Sequence, residues 1–538
     1  MLTLPLDPTD DRARPIFTDV ASCTQWLNQL QLTNLQRAHS QLLAQIAELN
    51  SYPMRGLERL NTLELLRETV EHIQADLARK LIDKALPLND LELMVFVSIK
   101  KLWQAMVVGY QRVLQAHIAG DKQLANYGAL LCQRCLFYTG MEILEHLRTG
   151  YEFDTRLWRQ LHELYAYAEH QKFHQTTVTD PLSPQATQTS CTSSYVKTLL
   201  ACHANPAELT RWQLQKMDLW LHQWSSSVTL AYDYRLSKGD SQPLATDLAS
   251  AAGLQRVEDL TQTDSLRYLA MVPLSKLLRV KIILLEQGHT PKQVGLGDQT
   301  GSESCLELLT TLHKIWCEKE SQRSASRRPI ARLSEVSYPL EGIYTHIAGR
   351  PFSPQNHSNQ ARHTFEMLGH QRLMTTHNAQ TDAGYPLENW QIDNESAMGA
   401  RLTRSDTSGG RLSGKYLIAV GTSDAQSFIL GSTAWAVVNR QGKLQIGVRY
   451  LPGIPEAISI NSTGINPVNT EISAAALLLP ALPSLKTPAS LIIPPGWFQP
   501  KRVIEVLQEN GEINMAQLGF SVERGTNYER VSFAILKS

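Results

Sequence analysis

The hydrophobic period of this chain changes along its length, and that change constrains the fold more than any single motif. In NTLELLRETVEHIQADLARKL the apolar residues Leu63, Leu66, Val70, Ile73, Leu77 and Leu81 recur every three or four positions. That spacing places them on one face of an α-helix. Further on, AWAVVN and LQIGVRYL are short alternating runs joined by RQGK, the signature of a β-hairpin. Helices first and short strands afterwards give an α+β, multidomain expectation.

The chain has 538 residues, too many for one core, and roughly three to five units are expected. Residues 1–174 read as a helical domain, a bundle or helical array. WLNQLQLTNLQRAHSQLLAQIAEL, the run around KKLWQAMVVGYQRVL, NYGALLCQRCLFYTGMEILEHL and TRLWRQLHELYAYAEHQKFH all carry the helical rhythm. Residues 175–320 read as a second, mainly helical region. It opens with a polar linker and has Ser193 or Ser194 as the N-cap of its first helix. VTLAYDYRL reads as a strand, and SLRYLAMVPLSKLLRVKIILLEQG as helix. Residues 321–452 read as a β-barrel with an insertion at about 351–387 that looks like loop and helix. RLSEVSYPLEGIYTHIAG is among its strands. Residues 453–538 read as a further small β unit.

Composition excludes several classes. Lys plus Arg equals Asp plus Glu at 51 each, so nucleic acid or an anionic membrane is not the expected partner. No stretch approaches the ~20 apolar residues of a membrane helix. The N-terminus lacks the basic start and apolar core of a secretory signal. Seven scattered cysteines fit reduced thiols, hence a cytoplasmic protein.

Two motifs stand out in the second half. QRSASRRPIARLSEV holds Arg323, Arg327, Arg328 and Arg332. Arg323 and Arg327 form R-x-x-x-R, and Arg328 and Arg332 form a second, overlapping candidate. DNESAMGARL supplies N-x-S-x-x-G at Asn394, Ser396 and Gly399, followed by an arginine. Taken alone, the arginine run reads equally well as a solvated basic linker, and NESAMG reads better as a plain turn between strands. Taken in order, and with the hairpin from Trp435 to Val448, they resemble the PilZ domain over about residues 321–452. PilZ domains are small β-barrels that bind the bacterial second messenger cyclic di-GMP. The resemblance implies ligand roles for Arg323, Arg327, Asn394, Ser396 and Gly399, with Arg328 in reserve should the register differ by one. It departs from the family in one respect. The two motifs are usually a strand or two apart, whereas here Arg327 and Asn394 stand 67 positions apart. The insert between them can sit on the surface, cap the ligand or block it.

The clamp is physically coherent. Arginine presents a planar fork of donors suited to phosphate and to the O6 and N7 edge of guanine. Its flat face can stack on a base. Asn394 and Ser396 would hydrogen bond from the barrel, and Gly399 would allow close approach of the backbone. The resemblance thus implies a bacterial receptor that takes cyclic di-GMP as its signalling ligand and signals to a protein partner through the helical region. The alternative is a barrel that binds no nucleotide and serves as a scaffold.

No cofactor or metal is expected, and no enzyme. Cys132 and Cys135 form C-x-x-C inside an apolar helix pattern with no second pair, short of a four-ligand zinc site. His162, His170 and His174 lack H-E-x-x-H and read as surface histidines, the latter two sharing a helix face. G-x-x-x-x-G-K-[ST] and G-x-S-x-G are both missing.

Overall fold

The computed structural model describes residues 2–182, 188–234, 244–298, 301–318, 328–353, 384–406, 408–421, 427–463, 473–508 and 511–536. They form two compact units. Residues 1–84 and 88–323 make the first, and 85–87 with 324–538 the second.

The first unit is mainly helical. Its opening helices are α1 (Val20–Gln29), α2 (Leu35–Ser51), α3 (Gly56–Arg79), α4 (Asp90–Ile118), α5 (Gly128–Thr149) and α6 (Arg156–His170). The apolar stripe read from the sequence is the packed face of α3: Leu63, Leu66, Val70, Ile73 and Leu77 are all buried. Fully burying such a side chain contributes about 1.5–3 kcal/mol. Helix ends are closed locally. Asn89 and Glu92 form a reciprocal capping box on α4, and Gly150 ends α5 in the left-handed conformation, φ 70°. The C-x-x-C pair lies inside α5 with both thiols buried, and burial raises both above the ordinary thiol range.

The core of this unit also holds charge. Arg67 on α3 bonds both oxygens of Asp180, at 3.0 and 3.1 Å, and donates from Nε to the Tyr138 hydroxyl at 3.1 Å. Arg134 on α5 holds Glu64 at 2.9 and 3.0 Å, and the Tyr110 hydroxyl donates to the same carboxylate at 2.6 Å. Asp180 follows strand β1 (Val178–Thr179), which pairs with β2 (Gln188–Thr189). The segment expected as linker thus carries a short β pair that presents a carboxylate to two arginines.

The rest of the unit comprises α7 (Cys191–His203), α8 (Arg211–Trp224), α9 (Val272–Glu286) and α10 (Ser302–Cys317). They accompany β3 (Thr229–Ala231), β4 (Leu244–Asp247), β5 (Gln255–Arg256) and β6 (Leu266–Ala270), a sheet of order β3-β6-β4-β5. Four local expectations are corrected here. The N-cap of α7 is Ser190, whose Oγ accepts from Ser193 N at 3.1 Å, not Ser193 or Ser194. The start of SLRYLAMVPLS is strand β6, because Leu266–Ala270 fills the sheet between β3 and β4. His162 is fully buried rather than on the surface: its Nδ1 accepts from the Tyr195 hydroxyl at 2.6 Å and its Nε2–H donates to Ala252 O at 2.8 Å. His170 is exposed at the last position of α6, and His174 lies beyond the helix, so the two share no helix face.

A buried histidine makes this unit acid-sensitive. His146 is 7% exposed, and burial first, then Lys100, pushes it down to about 4. The unfolded chain takes up this proton near 6.5. The neutral form therefore contributes stability that is complete above pH 6.5 and is lost as pH falls toward 4. Urea unfolding at pH 7 and pH 4.5 is expected to differ by on the order of 2 kcal/mol from this group, and His146→Gln should remove that part of the difference.

The second unit contains two closed antiparallel barrels. The first comprises β7 (Arg328–Ser337), β8 (Glu388–Ser396), β9 (Gly399–Arg404), β10 (Leu417–Gly421), β11 (Phe428–Val438) and β12 (Leu444–Tyr450), in the order β10-β11-β12-β9-β8-β7. Trp390, Ile392, Leu402, Ile446 and Val448 are buried on alternate positions of their strands. The second comprises β13 (Glu456–Ser462), β14 (Ser473–Leu479), β15 (Ser490–Ile493), β16 (Val503–Gln508), β17 (Ile513–Arg524) and β18 (Glu529–Ile535), in the order β13-β14-β15-β18-β17-β16. The expected small β unit is therefore a complete barrel. Closure removes the free strand edges that would otherwise invite pairing.

The second half of RLSEVSYPLEGIYTHIAG is not strand but helix α11 (Leu340–Ala348). Leu340 and Ile343 pack with Leu417 and Leu430 of the first barrel and with Leu477 and Ile492 of the second, so the helix fills a hydrophobic cluster common to both. Most of the insertion expected at about 351–387 lies outside the described residues. The α+β, multidomain expectation holds: a helical first half precedes antiparallel barrels. No helix of the described residues is long and apolar enough to cross a membrane.

Candidate functional site

DNESAMGARL folds as a hairpin. β8 ends at Ser396, β9 begins at Gly399, and Ala397 and Met398 connect them. Ser396 Oγ donates to Gly399 O at 3.2 Å. The backbone thus makes the plain turn that the sequence permits. Gly399 has a more demanding reason to be glycine. A Cβ there would stand 2.1 Å from Val448 O on β12, so the missing side chain lets two strands close.

The register places one arginine directly against this hairpin. Arg328 opens β7 opposite Glu395, and Pro329 stands opposite Asn394. Arg328 is exposed. Asn394 is half-buried, and its side-chain oxygen has no hydrogen-bond donor among the described residues. An unmet buried acceptor is uncommon and favours any ligand that brings a donor. Asn394, Ser396 and Gly399 therefore share the outer face of the β8–β9 hairpin, whereas Arg328, paired with Glu395, starts β7 at the same end but on the opposite face of the pleat. Arg323 and Arg327 lie outside the described residues. Arg332, further along β7, reaches Glu395 at 3.7 Å. That carboxylate also accepts from the Tyr450 hydroxyl at 2.6 Å, and burial, then this carboxylate, holds the phenol well above its usual range.

A second group shares the outer face of the same strands. The ladder shifts register at Asp393, between Ile392 and Asn394, and such bulges re-aim side chains. The Thr403 hydroxyl donates to the Asp393 carboxylate at 2.7 Å. Arg401 on β9 and Trp435 on β11 both stand opposite Gly447 of the intervening β12. With no side chain between them, the Arg401 guanidinium lies 6.0 Å from the Trp435 ring centroid. The indole rests against the glycine, where a Cβ would meet Nε1 at 2.1 Å. Arg401 also donates to Gln445 Oε1 at 2.9 Å. The sequence showed both residues: an arginine follows Gly399, and a tryptophan opens the hairpin. Their partnership depends on the three-strand register around Gly447, which no local pattern carries.

The face thus offers guanidinium forks, an amide, a hydroxyl and a flat aromatic ring. That set suits a ligand with anionic groups and planar bases. Among the described residues no group of three or more His, Cys, Asp or Glu is placed to hold a metal ion.

Comparison with known proteins points the same way. Residues 21–235 match the family model described as "Cyclic-di-GMP receptor FimW, N-terminal domain". Residues 466–536 match "FimW C-terminal beta-barrel domain", a span that includes β14 to β18. A curated relative from Pseudomonas aeruginosa, named "Cyclic-di-GMP receptor FimW", is 22% identical across 91% of this chain and 87% of its own length. The family read from the sequence and the one named by these matches agree on a receptor for the same messenger. In its helical half and in its last barrel, this chain is similar to the cyclic-di-GMP receptor FimW.

Proposed function

We propose that this chain is a cyclic di-GMP receptor and that the dinucleotide binds the outer face of the first barrel at the β8–β9 hairpin. The observation that carries this reading is the register that sets Asn394 opposite Arg401 and Ser396 opposite Gly399, on the outer face of the β8–β9 hairpin. The name of the Pseudomonas aeruginosa relative supports the same ligand, and a receptor rather than an enzyme. In this reading Arg323, Arg327 and Arg328 supply forks for phosphate and guanine. Asn394 and Ser396 hydrogen bond the ligand from the barrel, while Gly399 keeps the strands close enough to form the surface. Arg401 and Trp435 extend it with a planar platform. The helical residues, 1–174 and 175–320, would carry the signal to a protein partner. That requires the ligand to favour one of two arrangements of the protein.

An Asn394→Ala/Ser396→Ala double variant tests the site. Affinity for cyclic di-GMP is expected to fall at least about 30-fold, at roughly 1 kcal/mol per hydrogen bond lost, with far-ultraviolet circular dichroism unchanged. Unchanged affinity would place the ligand elsewhere.

A further inference from the structure

The helical unit holds a second polar hollow that the reading above leaves unused. A cavity of about 240 Å³ opens between α3, α4, α5 and α8. Sites for drug-sized ligands run to roughly 300–1,000 Å³, so this one suits a single ring system rather than a dinucleotide. Trp103, Phe137 and Met141 give it apolar walls, and Glu71, Arg148 and Asp218 supply charge.

Most of that charge is already matched. Asp180 is held by Arg67. Asp218 stands 2.8 Å from Lys197 and 3.2 Å from Arg148, and Arg148 also bonds Glu145 at 2.7 Å. Among the described residues three groups in the wall are left over: the Gln74 side-chain oxygen, buried with no donor, and Glu71 and Trp103. Glu71 meets its nearest cation, Arg67, only at 3.8 Å, and its side chain is 29% exposed. Trp103 is 2% exposed, and its indole N–H is buried with no acceptor among the described residues. A buried donor without a partner costs about 1–3 kcal/mol, which a ligand carbonyl would recover. Burial, only partly offset by Arg67, pushes the Glu71 carboxyl up to about 7, as befits a carboxylate short of partners.

We propose that this cavity binds a guanine-type base. The lactam edge of guanine carries two adjacent N–H donors and one carbonyl acceptor. The donors match the Glu71 carboxylate, the carbonyl matches the Trp103 N–H, and the ring has Phe137 as an apolar wall. Adenine presents a ring nitrogen acceptor where guanine presents a donor, and would leave Glu71 facing a lone pair. Selectivity should follow from that mismatch. The site is independent of the barrel, so its success or failure is separable from that of the barrel reading.

The test is calorimetric titration of the full chain with guanosine monophosphate, adenosine monophosphate and agmatine. Three variants accompany the wild type: Glu71→Gln, Trp103→Phe and the barrel variant Asn394→Ala/Ser396→Ala. Trp103→Phe keeps a ring and deletes only the N–H, and thermal melts confirm that each variant is folded. The proposal expects binding of the guanine nucleotide and at least tenfold weaker binding of the adenine nucleotide. It expects roughly tenfold losses in Glu71→Gln and in Trp103→Phe, and no change in the barrel variant. Four results would each overturn it: no binding at millimolar guanosine monophosphate, equal affinity for both nucleotides, tighter binding of agmatine, or loss confined to the barrel variant.

Discussion

Replacing Arg67 by alanine is expected to destabilise the helical unit by about 3–5 kcal/mol, as is Asp180→Ala. Both side chains are deeply buried, at 1% and 6% side-chain exposure. Their two hydrogen bonds of 3.0 and 3.1 Å satisfy charges that are largely removed from water, with Asp180 bordering the hollow between the helices. Removing Arg67 leaves buried Asp180 with only the longer Arg134 contact at 3.4 Å, and removing Asp180 leaves Arg67 with Glu64 at 3.5 Å and Glu71 at 3.8 Å, each a poorer match for a desolvated charge. Arg67→Ala additionally strips the Tyr138 hydroxyl of its donor and leaves a void beside Phe137, whose ring lies 5.9 Å from the guanidinium. Replacing both charges together with apolar residues of similar size, Arg67→Met/Asp180→Leu, should cost markedly less than the sum of the single changes. Urea unfolding followed by tryptophan fluorescence measures all of these. A loss below about 1 kcal/mol in Arg67→Ala would show that the pair is hydrated.

Gly399→Ala should disrupt the first barrel by about 3 kcal/mol or more, large for one added methyl group. Overpacking usually costs roughly 1–3 kcal/mol because side chains can yield. Here the obstacle is the backbone carbonyl of Val448, at 2.1 Å from the added Cβ, and it is part of the ladder that pairs Val448 with Ala400 and with Thr433. The variant therefore separates two explanations for this glycine. Weakened ligand binding with an unchanged melting temperature would mean that the residue serves the ligand directly. Lowered stability with or without ligand is the outcome expected of a packing glycine.

Much of the fold was legible because it is local. The apolar face of α3 follows from its own spacing, and β11 and β12 from alternation around a Gly-containing turn. The misreadings share a cause. Leu340, Ile343 and Tyr344 of α11 stand at helical spacing, but the stretch is short and lies between strands. What makes it helix is an apolar cluster drawn from two barrels. His162 owes its burial to Tyr195 and Ala252, 33 and 90 positions away. Asp180 is 113 positions from Arg67, so a segment read as linker became the anchor of a buried ion pair. In the site, the N-x-S-x-x-G spacing was visible from the start. The role of Gly399 and the Arg401–Trp435 pairing became readable only with the register of β12.

The proposed receptor binds cyclic di-GMP at its first barrel. Calorimetric titration of the purified chain with cyclic di-GMP, beside an Arg323→Ala/Arg327→Ala variant, tests it most directly. Binding by the wild type that falls at least about 100-fold in the variant, as expected when two charge-assisted contacts are removed, is the predicted result. No binding by the wild type at high micromolar ligand would contradict the account and leave DNESAMGARL as a turn in a scaffold's barrel.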